Sequence, residues 1–190
     1  MARAGESGMA AIDFIALLRA VNVGGRKLPM ADLRALVGEL GFERPETYIQ
    51  SGNLIFGAKG SDAKLAARLE KAIAERFGFT VPAIVRKGSE WRAYIEGNPF
   101  AHDINAIPKM LHVLLAAKPP PVDAADALAR YAKAGERIRI AGDALWIDYG
   151  AAVGTSKLTP AAIDRAFGAP ATGRNLNTVL KLQDMIEARG

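Results

Sequence analysis

The chain has 190 residues, half of them hydrophobic, with 25 Lys and Arg against 20 Asp and Glu and a net charge of +5. At ~100–200 residues per domain this is one domain or two small ones, with enough apolar content for a packed core. The absence of cysteine excludes disulfides, thiolate metal sites and cysteine nucleophiles, and His102 and His112 form no metal-ligand pattern, so the residues imply no cofactor and no metal.

Met1–Gly8 is short, polar and mixed in charge, without the hydrophobic segment of a signal peptide, and is expected to be loose. No run approaches the ~18 apolar residues of a membrane span, so a soluble, cytoplasmic protein with no membrane partner is expected. The mild positive balance favours a nucleotide, phosphate or nucleic acid as partner. Oligomeric state is not legible.

Ile12–Leu18 is almost continuously apolar and reads as a central strand buried on both faces. Asp13 is the oddly placed acid in it, an edge residue, a partner for Arg19, or simply exposed on one sheet face. The loop that follows carries Arg19, Asn22, Gly24, Gly25, Arg26 and Lys27, with no acid from Phe14 to Ala31. Pro29 suits the first position of a helix whose apolar residues are Met30, Leu33, Leu36, Val37 and Leu40, ended by Gly41. A glycine loop, cations and a helix N-terminus together favour an anion. The spacing matches neither G-x-x-x-x-G-K-S/T nor G-x-G-x-x-G, so this is not a standard nucleotide loop. The plain alternative is a turn needing two glycines, with its cations in solvent.

Pro45–Gln50 and Leu54–Phe56 read as strands around a hairpin tip, Ser51-Gly52-Asn53. With Gln50 this tip is rich in donors and acceptors and uncharged; turn chemistry alone also explains it. Ser61 or Asp62 caps a helix reaching Phe77, Gly78 stops it, and Val81–Val85 is the next strand. This half therefore reads β-α-β-β-α-β. Within it, Gly41-Phe42-x-x-Pro45 and Gly78-Phe79-x-x-Pro82 each join a helix end to a strand.

Ser89–Glu96 is a short helix, Met110–Ala116 a strand containing His112, and Asp123 opens a helix to Ala134. Arg137–Ile140 and Ala144–Tyr149 form a hairpin through Gly142-Asp143. Thr159-Pro160 starts a helix ending at Gly168, and Asn177 starts the last one. The second half reads α-β-α-β-β-α-α.

The fold class expected is α+β: two ferredoxin-like (α-β plait) subdomains packed together. The expected boundaries are a flexible 1–10, a first plait over 11–87, and a second plait-like unit with an extra C-terminal helix over 88–190. A single continuous sheet is the alternative.

Two further polar stretches precede helices, Gly154–Thr159 and Thr172–Thr178. Ser156 and Lys157 lie in the first; Arg174, Asn175 and Asn177 lie in the second. A cation at a helix N-terminus opposes the dipole, and is easier to understand if an anion is shared there. A Ser156–Lys157 catalytic pair is disfavoured, because adjacent residues point apart. Leu54-Ile55-Phe56-Gly57 lacks the aromatic pattern of an RNA-stacking strand.

The stretches L-L-R-A-V-N-V-G-G-R-K, T-Y-I-Q-S-G-N-L-I-F, F-G-F-T-V-P-A-I-V-R, N-P-F, S-K-L-T and R-N-L-N-T-V-L-K-L occur in this order. From Asp13 to Leu182 they resemble the bacterial family catalogued as domain of unknown function sixteen-ninety-seven. The resemblance implies two α-β plait subdomains and implies no activity. It singles out Arg19, Asn22, Gly24 and Lys27, then Gln50 to Asn53, then Ser156 and Lys157, and finally Arg174, Asn175 and Asn177.

Three functions fit these residues. In the first, the polar loops converge on a phosphorylated or otherwise anionic ligand, a nucleotide or nucleic-acid backbone, with Arg19, Lys27, Lys157 and Arg174 neutralising charge. In the second, an enzyme uses the same cations on a small anionic substrate. In the third, the loops only hold the two halves together.

Overall fold

The computed structural model describes residues 10–151 and 154–190; the N-terminal segment expected to be loose lies outside them. The first strand, β1 (Ile12–Leu18), runs into a loop and then α1 (Met30–Glu39). β2 (Glu43–Tyr48), β3 (Asn53–Ala58), α2 (Asp62–Phe77) and β4 (Ala83–Lys87) complete an antiparallel sheet of order β2-β3-β1-β4. After α3 (Gly88–Glu96) come β5 (Leu111–Ala116), α4 (Ala124–Ala129), β6 (Arg137–Ala141) and β7 (Ala144–Asp148). Then α5 (Pro160–Phe167), β8 (Ala171–Asn175) and α6 (Leu176–Glu187) close the chain. The second sheet has order β6-β7-β5-β8. Numbered within its own half, each sheet has the order 2-3-1-4.

The protein is thus α+β, with two four-stranded antiparallel sheets and six helices among the described residues. Period-two alternation explains the apolar run in β1. Phe14, Ala16 and Leu18 face the core under α1 and α2, with Leu33 and Leu69. Ile15 and Leu17 face the opposite way, onto Val113, Leu115 and Trp146 of the second sheet. α3 and α6 join this middle core through Trp91, Val179 and Leu182, and Trp91 Nε1 donates to Val179 O at 3.0 Å. The other face of the second sheet carries Leu114, Leu145 and Ile147, covered by Leu128 of α4 and Ile163 and Phe167 of α5.

Several local expectations change, among them the helix opened by Asp123, which ends at Ala129 and not at Ala134. Ala171–Asn175 is a strand, paired with β5 in the register Leu114↔Gly173, where the sequence suggested only a loop. A-T-G-R-N has no apolar alternation to announce it, and as an edge strand it needs little. The last helix begins at Leu176, one residue before Asn177, because Asn175 is the N-cap and accepts from Thr178 N at 3.0 Å. Asp13 pairs with Arg189, at 2.9 Å, and not with Arg19; Arg189 also donates to Arg44 O, which ties the C-terminus to β1 and β2. No helix among the described residues is long and apolar enough to cross a membrane.

Candidate functional site

The loop after β1 is closed by one side chain. Asn22 Oδ1 accepts from Leu28 N at 2.8 Å, and its Nδ2 donates to Leu28 O at 3.0 Å and Gln50 O at 2.7 Å. Asn22 does this from φ 56°, and Ala20 beside it stands at φ 52°. Such a conformation is rare for residues with a Cβ and persists only where the surroundings enforce it. Gly24, Gly25, Arg26 and Lys27 project from this closed loop and are exposed.

The hairpin tip is held against the loop. Leu18 N donates to Gly52 O at 2.8 Å. Asn53 is fully buried; its Nδ2 donates to Tyr48 O and Ser51 Oγ, each at 3.0 Å. Gln50 contributes its backbone carbonyl.

Arg174, on β8, meets both segments. Its Nε donates to Asn53 Oδ1 at 2.5 Å. Nη1 donates to Thr172 Oγ1 and Gly173 O, each at 2.9 Å. Nη2 donates to Leu18 O at 3.0 Å and Ser51 O at 2.8 Å. A guanidinium has five N–H donors, and all five are used by protein acceptors. None of these acceptors is a carboxylate, and burial pulls Arg174 down to about 10, leaving it charged at neutral pH. Arg174 is a tie between the two sheets.

Ser156 donates to Glu136 and accepts from Leu158 N at 3.2 Å, which shapes the turn before α5. Thr159 caps α5 by accepting from Ala162 N at 3.2 Å. Lys157 and Asn177 are exposed. The loop after β1, the hairpin tip and β8 therefore meet through direct hydrogen bonds. The turn before α5 meets two of them by a different route, around a cavity.

That cavity, of about 280 Å³, lies on the helix-covered face of the second sheet. Its walls include Leu114 and Gly173 on the paired strands and Leu158 and Ile163 on the α5 side. Gly173 leaves the space: a Cβ there would touch Leu114 Cγ only at 3.5 Å, an ordinary contact, so any longer side chain would grow into the cavity. Glycine inside a strand commonly marks such an approach.

Four polar residues line it: Arg19, His112, Tyr149 and Thr172. Arg19 comes from the loop after β1, on the side of the other sheet. Its Nη2 donates to Asp164 Oδ2 at 2.8 Å, while Asp164 Oδ1 accepts from Ala171 N at 3.0 Å. The carboxylate is thereby fixed, and it holds the guanidinium by one of its five donors. His112 Nδ1 lies 3.3 Å from Met110 O. A carbonyl only accepts, so the hydrogen is on Nδ1. Burial lowers His112 below its usual value and the ring is neutral at pH 7. Tyr149 packs edge-on against it, with centroids 5.0 Å apart, and burial pushes its phenol up to about 12.

A larger cleft of about 460 Å³ contains Arg86, Tyr94 and Asp143. There the guanidinium is consumed: Nε reaches Tyr94 Oη at 3.0 Å and Nη2 reaches Ala116 O at 2.8 Å and Asp143 at 3.1 Å. It is neutralised and lacks the free donors of Arg19. Among the described residues there is no cluster of three or more metal-ligating side chains.

His112, Tyr149 and Gly173 are cavity residues that sequence reasoning did not select. A strand histidine reads as structural, Tyr149 as the end of a hairpin, and Gly173 as part of a loop. The one available signal was a glycine inside a stretch able to pair as a strand.

The fold and cavity define a two-sheet α+β protein with a small, partly apolar chamber where its halves meet. The chain belongs to the family described as Protein of unknown function (DUF1697), whose profile matches residues 12–146. It is similar in structure to the conserved bacterial protein SP0830 from Streptococcus pneumoniae. The TM-score is 0.68 at 24% identity, covering 94% of this chain and 99% of that one, a likeness of fold. Among curated proteins none matches the sequence.

Proposed function

We propose that the protein binds a small anionic ligand with an apolar body in the cavity over Gly173, with Arg19 as its charge partner. The observation that carries this reading is Arg19 itself: a guanidinium anchored by one N–H to Asp164, with no other side-chain hydrogen bond among the described residues, at the wall of a chamber lined by Leu114, Leu158 and Ile163. At about 280 Å³ the space falls just below the ~300–1,000 Å³ common for ligand pockets, so it suits a small carboxylate better than a nucleotide. Exposed Lys27 and Lys157 add positive field for approach of an anion. In this reading each sheet with its two covering helices is one α-β plait, and the site joins the two.

The test is calorimetric titration of benzoate and 3-methylbutanoate into the wild type, Arg19→Gln and Gly173→Leu. Wild type binds at least one acid. Arg19→Gln weakens it about tenfold or more, the loss of one charge-assisted contact. Gly173→Leu fills the chamber and abolishes binding in a folded protein. No binding by wild type, or equal affinity in both variants, contradicts the reading.

A second reading, that the polar loops only join the halves, is favoured by Arg174 alone, whose donors are all spent inside the protein. It predicts no ligand at all in the same titrations.

A further inference from the structure

We infer that the ligand is a hydroxy acid, its carboxylate at Arg19 and its hydroxyl donating to Nε2 of His112. This rests on the cavity reading above and adds the second recognition contact.

The polar groups of the chamber are not equivalent. Arg19 can only donate. Thr172 Oγ1 already accepts from Arg174 Nη1 at 2.9 Å and keeps its own hydrogen to donate. Tyr149 keeps its proton and can also donate. His112 differs from all three. The carbonyl of Met110 fixes the hydrogen on Nδ1, so the other nitrogen presents a lone pair. A carboxylate oxygen at that nitrogen would set lone pair against lone pair. The anionic end of a ligand therefore belongs at Arg19, and whatever reaches His112 must bring a hydrogen.

An ammonium group would bring one too, and a small amino acid is the nearest competitor. It is disfavoured by the charge balance. The carboxylates that act on the chamber's lining are already engaged: Asp164 has one oxygen on Ala171 N and the other on Arg19, and Glu136, whose charge reaches Tyr149, accepts from Ala134 N and Ser156 Oγ. An ammonium beside neutral His112 and the walls of Leu114 and Leu158 would be desolvated without a counter-charge, which is costly. A hydroxyl carries no such penalty. A site built around an acceptor also discriminates well, because a ligand lacking the donor leaves a polar atom unpaired.

The test compares acids that differ by the hydroxyl: 3- and 4-hydroxybenzoate against benzoate, and 2-hydroxy-3-methylbutanoate and valine against 3-methylbutanoate. Affinities are measured by calorimetry in wild type, His112→Phe and His112→Gln. A hydroxy acid binds about tenfold tighter than its deoxy parent to wild type. His112→Phe keeps the ring packing on Tyr149 and erases that advantage, read as the ratio of hydroxy-acid to parent-acid affinity in the same variant. His112→Gln, which restores an acceptor, recovers part of it. Hydroxy acids no tighter than their parents, an advantage that survives His112→Phe, or valine as the tightest ligand would each overturn the inference. Parent acids that bind wild type and lose affinity in Arg19→Gln keep the cavity reading standing whatever the hydroxyl does.

Discussion

Arg174 and Asn53, 121 positions apart, share a hydrogen bond of 2.5 Å in which the guanidinium Nε donates to the side-chain carbonyl of a fully buried asparagine. Around it the same guanidinium meets Leu18 O and Ser51 O, so one side chain of the second sheet holds three positions of the first. This pair fixes where the loop bearing Arg19 lies over the cavity.

Arg174→Ala leaves a buried amide oxygen and several carbonyls without donors. Each unsatisfied group costs about 1–3 kcal/mol, with partial relief from water. The expected loss is about 3–5 kcal/mol in urea unfolding. Arg174→Lys keeps the charge but has three donors for five acceptors, and recovers less than half of it.

Gly52→Ala and Gly173→Ala are the same change with opposite outcomes. At Gly52 the backbone is at φ +77° and a Cβ would come 2.6 Å from Val21 Cγ2 and 2.8 Å from Leu18 Cβ, so the tip must move. The expected cost is about 2–4 kcal/mol, from overpacking and left-handed strain together. At Gly173 the nearest contact is 3.5 Å and the backbone is unstrained. Alanine there stabilises by about 0.5–1 kcal/mol, since glycine in a strand interior is entropically unfavourable. Thermal melts of the two variants in parallel check both signs.

Stability bends at both ends of the pH scale. Tyr94 and Tyr149 sit at about 12 in the native state against an ordinary 10.0. The unfolded chain releases these protons first, so stability present below pH 10 is lost as pH rises to 12, at about 2–3 kcal/mol per tyrosine. Tyr149→Phe removes part of that alkaline loss. At the acid end, native His112 titrates below its usual 6.5 and the unfolded chain takes up the proton first. Stability therefore declines as pH falls below 6.5, and His112→Gln flattens that limb in denaturant titrations at several pH values.

Much of this structure was legible in the sequence, and the parts that were not share a cause. β1, the two hairpins and the helix-ending glycines follow from periodicity and turn chemistry, which are local. The apolar run Ile12–Leu18 announced burial on both faces, as Ile15 and Phe14 now show in separate cores. Arg19, Asn22, Asn53 and Arg174 stood out as polar residues in unusual places. Their partners did not, because Asp164, 145 positions from Arg19, and Leu18 O, 156 from Arg174, are brought in only by the packing of two sheets. β8 was invisible because an edge strand with a glycine at its centre carries no alternation. With β8 hidden, the chamber that Gly173 leaves against Leu114 was hidden too.

The most direct test of ligand binding at Arg19 is a crystal structure of the protein grown with benzoate. The ring is expected over Gly173 against Leu114, with the carboxylate within about 3 Å of the Arg19 guanidinium while the Asp164 contact persists. An empty chamber, or benzoate bound elsewhere with Arg19 touching Asp164 alone, would contradict it.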